Sequence, residues 1–178
     1  MTPEQCIPPE PLFVPWESCI TLGSAFSYRY GDHYKSPREV VGLLLEIVSK
    51  GGNLALNIAP QPDGRLPFGA VKVLQTFGPW MKIHGEGIYD TRPLAPYIKD
   101  QFYFTKNRKT GSVYAFYYVK SSADIKRTYR IPWNGSVSRI IWLETGESVN
   151  AIFENDAIDV TLPYPADPDS ITITFRLS

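Results

Sequence analysis

The feature that most limits what this chain can fold into is a change of period near residue 92. Beyond it, seven short runs rich in β-branched and aromatic residues follow one another: "QFYFTK", "SVYAFYYVK", "TYRIPW", "SRIIWL", "AIFEN", "AIDVTLP" and "SITITFRL". Turns such as "NRKTG", "NGS", "ETGE" and "END" separate them. Strand-like runs with no helical period between them predict an antiparallel β-sandwich over 93–178. Alternation in "SVYAFYYVK" puts Tyr114, Phe116 and Tyr118 on one side. Such a stripe either packs a core or stacks on sugar rings, and the second option makes a non-catalytic carbohydrate-binding or supporting module the alternative to an enzyme.

Ahead of the change the grammar is helix and strand in turn. "SPRE" supplies Ser36 as N-cap, Pro37 at the first helical position and Glu39 three residues after the cap. It opens a helix through "VVGLLLEIVSK", whose apolar residues cover more than one stripe and so require a sheet to pack on. Gly51 and Gly52 stop the helix, and "NLALNI" follows as a short strand, with "APQPDG" as the loop after it and Asp63-Gly64 as its turn. A second helix is expected from about Phe68 to Ile83, with Val71, Leu74, Phe77, Trp80 and Met81 inward and Gly78-Pro79 kinking or splitting it. "HGEGIYDTRP" closes this half as a loop, with Glu86 pinning the helix end to it. A helix, a strand and a helix cannot bury both faces of one strand. Residues 1–92 therefore read as the last part of a larger α/β domain, and the fold class as α/β plus all-β.

Composition excludes several functions. Eighteen basic residues balance eighteen acidic ones without long blocks of either sign, which argues against a nucleic-acid surface. The longest apolar run, Val40 to Leu45, is far too short to span a bilayer, and "MTPEQCIPPE" lacks the basic and apolar regions of a signal peptide. Cys6 and Cys19 either pair or remain free thiols, and "NGS" at Asn134 matches a glycosylation sequon that does not by itself fix a compartment. Neither a metal-ligand spacing nor a phosphate-cradling glycine loop is present.

One short stretch either carries chemistry or holds an ordinary structural carboxylate that reaches into water. In "PWESC" the carboxylate of Glu17 directly follows the indole of Trp16. A carboxyl desolvated by an aromatic wall holds its proton more tightly, as a general acid must. If this stretch follows a strand around Leu12 to Val14, it lies at the carboxyl end of that strand, where α/β enzymes place their sites.

The run from "WESCITLGSAFSYRYGDHYKSPREVVGLLLEIVSKGGNLALNIAPQPDGRLP" to "WMKIHGEGIYDTRP" resembles the α-L-fucosidases of glycoside hydrolase family 29 over about half of the chain. The resemblance implies the end of a (β/α) TIM-like barrel over 1–92 followed by a C-terminal β-sandwich over 93–178. It also implies a retaining hydrolase of terminal α-L-fucosyl linkages in glycans, needing no cofactor and no metal. Retaining glycosidases place two carboxyl groups roughly 5 Å apart, one as nucleophile and one as acid and then base. By resemblance Glu17 is the acid/base and Trp16 its wall. The family nucleophile, an aspartate in a Trp-x-Asp context, has no counterpart after Trp16, Trp80, Trp133 or Trp142. The chain alone is then expected to be inactive and to need an upstream barrel half. Phe26, where many members carry tryptophan, either lines the sugar site or packs its loop. His33 lies in the loop after "FSYRYGD", within reach of the site mouth, whereas His84 reads as a surface or capping residue. The resemblance implies a secreted, periplasmic or lysosomal location.

Overall fold

The computed structural model describes residues 1–178, which divide into two compact units, Met1–Lys82 and Ile83–Ser178. No helix is long and apolar enough to cross a membrane.

The first unit is built on two parallel strands, β1 (Glu17–Thr21) and β2 (Asn53–Asn57), joined through α1 (Pro37–Ser49) and followed by α2 (Phe68–His84). Helix α1 starts where the capping signals place it: the Ser36 hydroxyl accepts from the Glu39 amide at 3.2 Å, and the Glu39 carboxylate accepts from the Ser36 amide at 2.7 Å. These bonds, the backbone one first, hold the Glu39 carboxyl below its ordinary range. The helix stops in a Schellman motif. Gly51, at φ +90°, donates to Val48 O and Gly52 to Ile47 O, at 3.1 and 3.0 Å. The buried face of α1, including Val40, Leu44 and Ile47, meets the even-numbered face of β1, where Trp16, Ile20 and Leu22 point.

Two expectations change here. Helix α2 is one unbroken element in spite of Pro79, since a single proline removes one helical hydrogen bond while packing holds the turns on either side. Its buried stripe is Ala70, Val73 and Trp80 instead of Val71 and Leu74, so the helix is rotated relative to the inferred phase. Residues 12–14 also form no strand. The first strand begins at Glu17, after a proline-rich segment that cannot supply ladder hydrogen bonds.

The second unit is almost entirely antiparallel sheet. A six-stranded sheet runs in the order β3 (Thr91–Lys99), β4 (Phe102–Asn107), β5 (Val113–Tyr118), β11 (Thr172–Leu177), β7 (Ile140–Trp142), β8 (Glu147–Ser148). A three-stranded sheet runs β6 (Thr128–Ile131), β10 (Ile158–Thr161), β9 (Asn150–Phe153). Residues of both sheets share one core, with Phe102, Phe104, Ala115, Tyr117 and Phe175 from one and Tyr129, Ile131, Ile158 and Val160 from the other. All seven inferred runs contain strands. The unforeseen one of any length is β3, which reads as loop because it carries Pro93 and Pro96. It is an edge strand, where prolines are tolerated, and its register with β4 shifts between Pro93 and Ile98.

Tyr114 and Phe116 are buried, and Tyr118 is partly buried. Their face is closed by the 3-10 turn Gly85–Gly87: a Cβ on Gly87 would sit 2.6 Å from Phe116 Cζ and 2.9 Å from the Tyr114 ring. A sugar-stacking platform on this stripe is therefore ruled out by packing. His84 and Glu86 also differ from their sequence reading. His84 is 3% exposed, with Nε2 3.1 Å from Glu144 Oε1 and 3.2 Å from Thr172 Oγ1. Glu86 pins the 3-10 turn to β11, accepting from Arg176 Nη1 at 2.9 Å.

Candidate active site

Parallel strands joined through helices bind ligands beyond their carboxyl ends. In the first unit that end is at Thr21 and Asn57, which are paired partners. Glu17 is at the opposite end, paired with Asn53. Four residue steps along the strand separate it from Thr21, about 13 Å at 3.3 Å per residue. The expected position of Glu17 after a strand is thus corrected: it starts one. Trp16 and Glu17 also point to opposite faces, because successive strand residues alternate. Trp16 is 3% exposed and packs with Ile20 and Ile47, so it is a core residue on the helix-facing side and does not wall the Glu17 carboxyl.

A different carboxylate, that of Glu4, stands beside β1 two residues nearer the carboxyl end than Glu17. Residues 1–5 run parallel to β1: Met1 O accepts from the Glu17 amide at 3.1 Å, Pro3 O from the Cys19 amide at 3.0 Å, and Cys19 O from the Gln5 amide at 2.9 Å. Glu4 forms the bridge with Cys19, which in turn pairs with Ala55. Its side chain therefore shares the face of Cys19 and Ala55, turned away from α1. The chain leaves the sheet directly afterwards, at Gln5, whose φ is +54°. Gln5 fixes that exit by bonding the end of β1 twice, Nε2 to Thr21 Oγ1 at 2.8 Å and Oε1 from the Thr21 amide at 3.2 Å. Glu4 is exposed. Sequence reasoning missed it because Glu4 makes a single isolated bridge to β1, with no run of alternating residues around it to show a period. The available signal was an acid beside a proline, just ahead of "CIPPEP".

The loop after β1 holds the other two candidates. Phe26 is 43% exposed, and His33 is exposed. The loop is tied by Asp32, which accepts from the Ser24 hydroxyl at 2.5 Å, the Ser24 amide at 3.1 Å and the His33 amide at 2.9 Å. Those bonds, led by the Ser24 hydroxyl, hold its carboxyl below the ordinary value. Gly23 is required beside it, since a Cβ there would lie 2.1 Å from Asp32 Oδ2. Lys35 closes the loop, its Nζ donating to Thr21 O at 2.6 Å. Phe26 and His33 are thus carried on a braced loop beyond the carboxyl end of β1, while Glu4 stands level with the middle of that strand and Glu17 at its start.

The loop after β2 turns at Gly64, φ +84°, with Asp63 accepting from Arg65 Nε at 2.7 Å. Asn57, at the end of β2, has a buried Oδ1 without a hydrogen-bond partner. Cys6 and Cys19 are both free thiols. No group of three or more His, Cys, Asp or Glu side chains is placed to hold a metal ion.

The proteins that this chain matches are glycoside hydrolases. A plasma α-L-fucosidase from Rattus norvegicus is 36% identical over 111 residues, covering 57% of this chain and 24% of the relative. Among solved structures, α-L-fucosidase isoenzyme 1 from Paenibacillus thiaminolyticus superimposes with a TM-score of 0.85 at 29% identity, over 99% of this chain and 44% of that one. A family 29 α-L-fucosidase from Bacteroides thetaiotaomicron, trapped as a covalent intermediate, shares the fold with a TM-score of 0.81 at 22% identity, over 98% of this chain and 41% of that one. The α-L-fucosidase family model matches residues 1–86. The chain thus resembles the α-L-fucosidases by sequence over residues 1–86 and by fold over nearly its whole length. It spans about a quarter of the length of the rat relative and less than half of the solved chains.

Proposed function

We propose that this chain is the C-terminal part of a retaining α-L-fucosidase acting on fucosylated glycans, with the end of a (β/α) barrel over 1–92 and a β-sandwich over 93–178. The observation that carries its site is the bridge from Glu4 to Cys19, which sets an exposed carboxylate two residues nearer the carboxyl end of the parallel strands than Glu17. In this reading Glu4, in place of Glu17, is the general acid/base. It gives its proton to the leaving oxygen as the glycosidic bond breaks, then takes a proton from the water that attacks the fucosyl-enzyme. Phe26 and His33, on the loop beyond β1, contribute an apolar contact and a polar contact at the mouth of the site.

The nucleophile lies upstream, in strands that complete the barrel. Within this chain Asp32 is a poor substitute, because its carboxylate is committed to Ser24 and the His33 amide. The 178-residue chain alone is therefore inactive. An acid without a nucleophile cannot run double displacement.

The test compares Glu4→Ala with Glu17→Ala in the full-length enzyme containing this chain. Glu4→Ala slows fucosides with poor leaving groups by at least a hundredfold and activated aryl fucosides far less, and azide restores part of the turnover. Glu17→Ala affects both substrate types equally and weakly. The reverse pattern refutes the assignment of Glu4.

A further inference from the structure

The second unit carries an open cleft of about 470 Å³ at its β3 edge, where β3 and β4 meet the turn leading into β5. Four cations line it, Arg92, Lys106, Arg108 and Lys109, and no acidic residue does. In a chain whose formal charge sums to zero this is a marked local imbalance. Asp90, outside the lining, forms an ion pair with Lys109 at 2.5 Å and attracts Arg108 and Arg92 more weakly. Arg92 donates to the carbonyl of Thr91 at 2.8 Å, and Arg92, Lys106 and Arg108 have no acidic partner within ion-pair distance.

The imbalance has a cost in the fold. Arg92 and Lys106 are paired residues across the antiparallel β3–β4 ladder, so two like charges project side by side from the same face. Such pairs destabilise a sheet. The turn that presents the other two cations is braced: the Asn107 side-chain oxygen accepts from the amides of Lys109 and Thr110 at 2.9 and 3.0 Å, and Gly111 supplies the left-handed residue at φ +75°. The positive field reaches Asp90, whose carboxyl is held below its ordinary value by its bond to Lys109, with Arg108 and Arg92 adding to the effect. Like charges on a hydrogen-bonded turn fit a ligand that supplies the missing negative charge.

We propose that this cleft is an oxoanion subsite that binds sulfate or carboxylate groups of an acidic glycan, held by Lys106, Arg108 and Arg92. The glycan rests on the fucosidase reading; the anion rests on the cleft alone. No aromatic side chain lines the cleft, so it offers no platform on which nucleic-acid bases could stack. Its volume suits a sugar ring with its charged substituents. A negatively charged glycan held here is tethered to the enzyme through a site distinct from Glu4, and no covalent step is involved.

The experiment is calorimetric titration of the full chain with a sulfated heparin-derived tetrasaccharide, its desulfated N-acetylated counterpart, inorganic sulfate, and a short oligothymidine. The expected result is binding of the sulfated tetrasaccharide that weakens at least tenfold in the double variant Lys106→Gln/Arg108→Gln. The exposed control Lys120→Gln leaves it unchanged. Lys106→Glu abolishes binding and raises the thermal midpoint by about 1–4 °C, because it turns the like-charge pair with Arg92 into an opposite one. Binding unaffected by Lys106→Gln/Arg108→Gln, or equal affinity for the desulfated sugar, overturns the proposal. So does displacement by inorganic sulfate at equal sulfate concentration, which leaves an adventitious ion only, and equally tight oligothymidine, which makes the cleft a nucleic-acid surface. The readout is binding without hydrolysis, so these outcomes are independent of the Glu4 and Glu17 comparison.

Discussion

Trp16 and Gly52 offer a direct measurement of how the first unit is held together. The indole is buried against Ile20 and Ile47, and its edge lies over Gly52 so closely that a Cβ there would meet Cε2, Cζ2 and Cη2 at 2.5, 2.5 and 2.6 Å. Removing a buried tryptophan to alanine costs about 3–5 kcal/mol. Part of that returns, because Trp16 Nε1 is buried without an acceptor and deleting an unsatisfied donor recovers about 1–3 kcal/mol. The net expectation for Trp16→Ala is about 0–4 kcal/mol of destabilisation, centred near 2. Gly52→Ala forces the ring to shift by about 1 Å and costs about 1–3 kcal/mol. Its φ lies outside the left-handed region, so this cost is steric and not conformational. In the Trp16→Ala background the obstacle is gone. Gly52→Ala then becomes neutral, or stabilises by a few tenths of a kcal/mol by restricting the unfolded chain. Urea unfolding followed at 222 nm, which reads the helices, gives all four corners of the cycle. A coupling of about 1–3 kcal/mol is expected, with the double variant less damaged than the sum of the singles. Additivity within about 0.5 kcal/mol refutes the packing argument.

Other sites give sharper single outcomes. His84→Ala strands the Glu144 carboxylate, 16% exposed at its side chain, without one of its donors; a loss of about 2–3 kcal/mol in denaturant unfolding is expected, with partial recovery in His84→Gln. Ser36→Ala removes the cap from α1 and costs about 1 kcal/mol by the same measurement, with Glu39→Gln a smaller loss because its side-chain acceptor is retained. The Asp32 carboxyl titrates below its ordinary 3.8 in the fold, so its contribution is fully present above that value and is lost as pH falls through the lower folded value. Protection of the Ser24 amide, measured relative to its intrinsic exchange rate, should therefore hold at pH 5 and fall on acidification below about 4. Asp32→Asn should show weak protection across the whole range, and pH-independent protection in the parent chain would contradict the linkage.

The elements of this fold were legible wherever a local signal was complete. The capping box at Ser36 and Glu39 and the Gly51-Gly52 stop delimit α1 because every interaction they need lies within the helix and its ends. Strands of the second unit were legible from residue type and spacing, since their faces alternate between core and surroundings. What could not be read required knowing what lies across space. The two prolines of β3 imitate a loop until the strand is known to be an edge. The rotation of α2 is fixed by which face meets β1 and β2, and its own period fits more than one phase. His84 reads as a helix-end residue until β11 and Glu144 are folded around it.

The candidate site shows the same division more sharply. The Trp16-Glu17 pair suggests an aromatic wall only if neighbours in sequence are neighbours in space, and in a strand they are the residues that point apart. The motif is then accounted for by packing, with Trp16 filling the space over Gly52 beneath α1. Glu4 has no motif of its own within five residues, yet the backbone bonds of Pro3 and Gln5 to Cys19 fix which face it shares and which end of the sheet it approaches. In the proposed reading the strand's direction decides the role, because the loop carrying Phe26 and His33 leaves β1 at the end opposite to Glu17. Strand direction, which no single residue encodes, is therefore what separates the two glutamates.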